Sequence, residues 1–259
     1  MCGLLWSWRG AGDRHNGNTM NVKIPFFRFE IKIHRVFDKP VKKESDIFKV
    51  NKTYDKIFCV GFNKTGTTSI GEFLKVSGLT LGNQAVAEVL GEDWAIYKRA
   101  ERIIKYCHTA DAFQDVPFMY PGLYKVLDKE FPNSKFILTV RDNAEQWYDS
   151  LVRFHTKLFS SDKSRTPDEE DKKNALYRYK GYIMDNSKYF WGYPQIPLYD
   201  ETAYKKMYLE HNQSVREYFQ KRPDDFIEVN VANQSDFSTL CKFLNIQTNR
   251  NQFPWENKT

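Results

Sequence analysis

The stretch VGFNKTGTTSI, Val60 to Ile70, gathers residue types that hold an oxyanion. Gly61 and Gly66 let the backbone bend close to oxygens with no Cβ in the way. Lys64 supplies a cation, Thr65 stands beside it, and Thr67, Thr68 and Ser69 supply hydroxyl donors. An apolar run, Ile57 to Val60, precedes the stretch, and Ile70, Phe73 and Leu74 after it are spaced for one helical face. The turn therefore opens a helix, where free N–H groups and the helix dipole meet an anion. In a Walker A loop the lysine follows the last glycine and precedes the hydroxyl residue that holds Mg²⁺. Here Lys64 comes before Gly66, which weighs against kinase and ATPase chemistry.

A second anion-binding constellation lies in FILTVRDNAEQWYDSLVRFH. Arg141 ends a second apolar run, and Ser150 falls in the amphipathic segment that follows. A guanidinium offers phosphate oxygens a planar fork of donors, and a serine adds one hydroxyl. An ion pair of Arg141 with Asp142 is the plainer alternative.

These groups need strands and helices to position them. KIFCVGF and SKFILTV (Lys135 to Val140) read as strands buried on both faces, and Phe226 to Val231 as a third. Helices are expected over Thr67 to Ser77 with Gly78 as the stop, Gln84 to Leu90, Trp94 to Cys107, Tyr120 to Phe131, Ala144 to Phe159, Lys172 to Phe190, Glu201 to Lys221 and Ser235 to Leu244. The stretch DAFQDVPF reads as a strand end or loop broken by Pro117. Strands alternating with helices predict an α/β fold, a three-layer α/β/α arrangement with a central parallel sheet and a P-loop-like strand–phosphate loop–helix unit.

With 259 residues, 41% hydrophobic and 16% aromatic, the chain suits one sizeable folded domain rather than a disordered or repetitive one. We divide it into a basic, aromatic N-terminal extension, residues 1–50, and a domain over 51–259. The net charge of +6 suits an anionic ligand, a nucleic acid or a membrane surface, and its scatter without long blocks of one sign argues against a dedicated nucleic-acid arm. Cys2, Cys59, Cys107 and Cys241 stand singly with no CxxC pair, which argues against a zinc site or disulfide scaffold and points to a reducing, cytoplasmic compartment. Met1 to Trp8 lacks a basic flank and soon meets Arg9, so no secretory leader is expected. Phe26, Phe27 and Phe29 lie among Lys and Arg residues. They read either as an edge strand or clamp on the domain or as a peripheral membrane contact.

K-T-G-T-T after a strand resembles the 5′-phosphosulfate loop of the sulfotransferases that use 3′-phosphoadenosine 5′-phosphosulfate (PAPS). The Arg141 and Ser150 motif is similar to that family's 3′-phosphate site, though its spacing is one residue longer than usual. The resemblance covers about Lys56 to Thr259, including DAFQDVPF, FPNSKFILTVRD and the closing FPWENKT. The steroid and phenol branch has a tryptophan for adenine stacking where this chain has Ser69, so the adenine platform is unassigned. The resemblance implies in-line attack of an acceptor hydroxyl or amine on sulfur. Lys64 would stabilise the leaving phosphate, with no metal required.

Under that scheme a general base takes the acceptor proton. Asp115, His155, His108 and Asp111 are the candidates, with Asp115 favoured because it follows a strand end beside Pro117 and the resembling branch carries an acid there. Tyr177, Tyr179, Tyr182, Tyr189 and Trp191 pack as core or line a pocket for a small-molecule, carbohydrate or lipid acceptor. Two other readings stand beside the sulfotransferase: a nucleotide or small-molecule kinase, and a non-catalytic nucleotide-binding member.

Overall fold

The computed structural model describes residues 48–254; Phe26, Phe27 and Phe29 lie outside them. The central sheet is built from β2 (Ile57–Cys59), β3 (Ala112–Phe113), β4 (Lys135–Thr139) and β5 (Phe226–Val229). They run parallel in the order β3-β2-β4-β5. Register pairs Ile57 with Ala112 on one side and with Lys135 on the other.

Alternation along these strands explains why both faces are covered. Phe58, Val60, Phe113, Phe136 and Leu138 point into one apolar cluster, while Ile57, Cys59, Ala112, Ile137 and Val229 point into another. The second cluster is closed by α1 (Thr67–Val76) and α10 (Gln234–Phe243) through Ile70, Phe73, Leu74, Phe237 and Leu240. The first is closed by α4 (Glu101–Cys107), α5 (Leu123–Glu130), α6 (Ala144–Phe159) and α9 (Glu201–Phe219) through Ile103, Leu127, Trp147, Leu151, Tyr208 and Phe219. The expected layering of helices on a parallel sheet is therefore present.

Three details differ from the sequence expectation. The helix expected over Trp94 to Cys107 is broken: α2 (Gln84–Val89) and α3 (Gly91–Ala95) precede α4, and Lys98 turns the chain at φ 52°. The long helix expected over Lys172 to Phe190 is two short ones, α7 (Glu169–Asn174) and α8 (Tyr182–Tyr189). Between them a narrow turn is closed by a Leu176–Lys180 bridge and a left-handed Gly181, and from it Arg178 reaches Glu88. Finally, β1 (Phe48–Val50) and β6 (Ile246–Thr248) form a separate antiparallel pair. Strands of three residues carry no periodicity to read. Among the described residues, no helix is long and apolar enough to cross a membrane.

Candidate active site

The strand order reverses between β2 and β4, and in open α/β sheets ligands bind outside the carboxyl ends of strands at that crevice. The Val60–Ile70 turn leaves β2 there. Gly61 passes so near β4 that a Cβ on it would lie 2.2 Å from Thr139 Oγ1. Gly66, at φ +103°, caps α1 without any side-chain hydrogen bond, and a Cβ there would lie 2.4 Å from Val231. Both positions require glycine.

The carbonyls of this turn are held from behind. His211 of α9 bonds Val60 O at 2.8 Å, Trp147 of α6 donates to Asn63 O at 3.0 Å, and Arg141 Nε donates to Lys64 O at 2.7 Å. The Thr65 hydroxyl donates to Phe62 O and pairs with Thr139 Oγ1 at 2.5 Å. That hydroxyl staples the loop to β4, leaving Thr65 only its N–H to offer a ligand. With the carbonyls held, the N–H groups from Lys64 to Ser69 have no acceptor among the described residues. Consecutive unpaired N–H groups at a helix start, with no acid in the first turn, form an anion cradle. Thr67 and Ser69 are buried there and Thr68 is exposed.

Lys64 stands at the cradle's edge at φ 66°. Its ammonium lies 3.5 Å from the Phe154 ring centre and makes no ion pair among the described residues. Burial pulls its pKa down to about 8; Asp115 opposes this, and the charges of Arg141 and Lys157 add to it.

Arg141 follows β4, with its backbone N–H bonded to Tyr208 Oη at 3.1 Å. Only Nε is engaged by Lys64, and its terminal nitrogens carry no hydrogen bond to the described residues. Helix α6 starts at an Asn143 cap. The eighth residue after Arg141, Asp149, is exposed, whereas Ser150 is buried. Ser150 shares a helical stripe with Phe154 and Lys157, and Phe154 is the ring beneath Lys64. That stripe turns Ser150 toward the side of α6 on which Phe154 meets Lys64.

Asp115 follows β3, level with the loop across the neighbouring strand, in a left-handed conformation at φ 59°. Its Oδ1 accepts the Val116 N–H at 2.9 Å. Burial, then the Glu88 carboxylate, push its pKa up to about 6, against the Val116 N–H, Lys64 and Arg178. Glu88, 5% exposed, is a residue that the sequence reading missed, because an acid inside a short helix carries no motif.

The other candidate bases sit elsewhere. Asp111 lies at the entry end of β3, bonded to Lys52 and Thr80; despite some burial those bonds pull its pKa down to about 2. His108 ends α4 against Phe131. His155 is buried with Nδ1 3.0 Å from Tyr199 Oη, and burial, then Lys172 and Lys64, hold its pKa well below the ordinary histidine value. Of the aromatic set, Tyr182 and Trp191 are core, with Trp191 stacked on Tyr204 at 4.1 Å. Tyr177 and Tyr179 remain partly exposed on the turn between α7 and α8, Tyr177 against Phe159 at 5.7 Å.

A parallel α/β sheet with a glycine-bounded turn opening a helix at its switch point is an arrangement suited to holding an anion. The family model of the sulfotransferase domain matches residues 56–259, and the chain belongs to the sulfotransferase family, whose members transfer sulfuryl groups. No curated protein matches the sequence.

Proposed function

We propose that the protein transfers a sulfuryl group from PAPS to a hydroxyl or amine of a small-molecule, carbohydrate or lipid acceptor. The observation that carries this reading is the run of N–H groups from Lys64 to Ser69, beside the Arg141 guanidinium, neither the N–H groups nor its terminal nitrogens having a partner among the described residues. That pairing fits a ligand with two separate anionic groups. The cradle N–H groups and the Thr67, Thr68 and Ser69 hydroxyls would hold the 5′-phosphosulfate. Arg141 and Ser150 would hold the 3′-phosphate. The donor supplies the activated sulfate; the chain supplies position and charge.

In this scheme the acceptor approaches between Lys64 and Asp115. Asp115, with its raised pKa, takes the acceptor proton as the oxygen or nitrogen bonds to sulfur. Lys64 neutralises the charge that develops on the bridging oxygen as the sulfur–oxygen bond to the 5′-phosphate breaks. Buried free thiols at Cys59, Cys107 and Cys241 agree with a reducing compartment.

The test is transfer of labelled sulfate from PAPS to a panel of hydroxyl and amine acceptors. Label should move with the native chain and fall by about 10²-fold or more in Asp115→Asn and Lys64→Ala. Native-like transfer by either variant contradicts its role. Binding of the desulfated donor with no transfer to any acceptor supports a non-catalytic member instead.

A further inference from the structure

Glu88 and Arg178 are not used by the scheme above, yet they adjoin Asp115. Arg178, on the turn between α7 and α8, pairs its Nε with Glu88 Oε2 at 2.5 Å. On the other oxygen, Glu88 Oε1 accepts from Gln84 Nε2 at 3.3 Å. The same Gln84 nitrogen donates to the carbonyl of Val116 at 3.0 Å, and the Val116 N–H is the donor bonded to Asp115 Oδ1. One chain of contacts thus runs from Arg178 through Glu88, Gln84 and Val116 to the Asp115 carboxylate.

We infer that Glu88, held by Arg178, is a positioning residue for Asp115: through Gln84 and Val116 it fixes the turn that carries the carboxylate, and it is the second carboxyl of that network. The inference rests on the reading of Asp115 as the general base. A base that must take a proton near neutral pH works best with a pKa near that range, well above an ordinary aspartate. Burial begins that shift, and a neighbouring carboxylate extends it. Other groups face Asp115 as well. Lys64 from the phosphate loop and Arg178 favour its charged form. Cys59 of β2, Tyr120 and Tyr177 adjoin it as neutral groups whose own ionisation it opposes. Glu88 is the acid in this set.

Burial pushes the Glu88 carboxyl toward its neutral form, and the Arg178 guanidinium opposes this. Removing the Glu88 charge lowers the Asp115 pKa directly; removing Arg178 both withdraws a positive charge from Asp115 and lets the buried Glu88 take up a proton, so its effect has no fixed sign. Glu88→Gln is therefore the variant that separates the charge of Glu88 from its place in the contact chain.

The experiment is a carboxyl-carbon NMR titration of Asp115 in the full chain without donor or acceptor, with the resonance assigned by its loss in Asp115→Asn. Glu88→Gln, nearly isosteric, should move the midpoint down by about one pH unit. An unchanged midpoint in a folded Glu88→Gln variant overturns the inference. The acid limb of kcat/KM should follow the carboxyl in that variant. A carboxyl that moves while the acid limb stays upholds the coupling of Glu88 to Asp115 and contradicts Asp115 as the base.

Discussion

Arg141 Nε donates to the backbone carbonyl of Lys64 at 2.7 Å, so the end of β4 and the phosphate loop after β2 are one hydrogen-bonded unit. The guanidinium is a strut for the loop and, in the proposed donor site, would serve through its remaining nitrogens as a fork for the 3′-phosphate. Arg141→Lys cannot serve both uses. By isothermal titration it should weaken binding of 3′-phosphoadenosine 5′-phosphate by about 10- to 100-fold, with a smaller loss for adenosine 5′-phosphate, which lacks the 3′ group. Equal losses for the two ligands would assign Arg141 to the strut alone.

The pKa values of Asp115 and Lys64, about 6 and about 8, bracket neutrality. Asp115 must be ionised to act as base, and Lys64 must be protonated to stabilise the leaving group. The profile of kcat/KM, which reports the free enzyme, should therefore be a bell with limbs near those values. Asp115→Asn should also resist heat better than the native chain at pH 7, because a buried carboxylate held toward neutrality destabilises the fold once ionised. A lower melting temperature for a folded Asp115→Asn would argue that the carboxylate stabilises its surroundings.

At Gly66 a methyl group meets Val231 at 2.4 Å and the backbone sits at φ +103°. Gly66→Ala should cost about 1–3 kcal/mol in urea unfolding and abolish stabilisation by the desulfated donor. Gly78 has a positive φ but nothing within 4 Å of an added Cβ. Gly78→Ala should carry only the conformational cost, about 1 kcal/mol, and keep ligand binding.

Lys172 is 1% exposed, bonded to Ser187 Oγ at 2.9 Å and lying 4.3 Å from the Tyr199 ring centre, with no carboxylate partner among the described residues. Burial lowers its pKa from 10.5 to about 7. Between those values the unfolded chain binds the extra proton, so this group adds stability as pH rises from about 7 towards 10.5 and loses it as pH falls back. The slope is at most about 1.4 kcal/mol per pH unit. Chemical denaturation from pH 7 to pH 9 should show the rise in the native chain and a flatter response in Lys172→Met. Equal slopes would place the titration elsewhere.

Much of the loop's geometry was legible because the residues that set it are local in sequence. Glycine spacing, the Lys64 position and a buried run before a helix all lie within Ile57 to Ile70, and Arg141 ends its own apolar run. The parallel sheet followed from three such runs. What escaped notice depends on distant parts of the chain. The Thr65 hydroxyl is bonded to Thr139, 74 residues away, which leaves that residue its N–H to offer a ligand. Glu88 acquires meaning only beside Asp115 and Arg178, and the turn between α7 and α8 brings Arg178 to it from 90 residues away. The pairing of β1 with β6 joins opposite ends of the domain through three-residue strands.

The central claim is that the cradle and Arg141 together bind a nucleotide with both a 5′ and a 3′ anionic group. Thermal-shift titration with 3′-phosphoadenosine 5′-phosphate against ADP plus Mg²⁺ tests it most directly. The account predicts saturable stabilisation by the first ligand, lost in Arg141→Ala, and little or none by the second. Stabilisation by ADP with Mg²⁺ alone would contradict it.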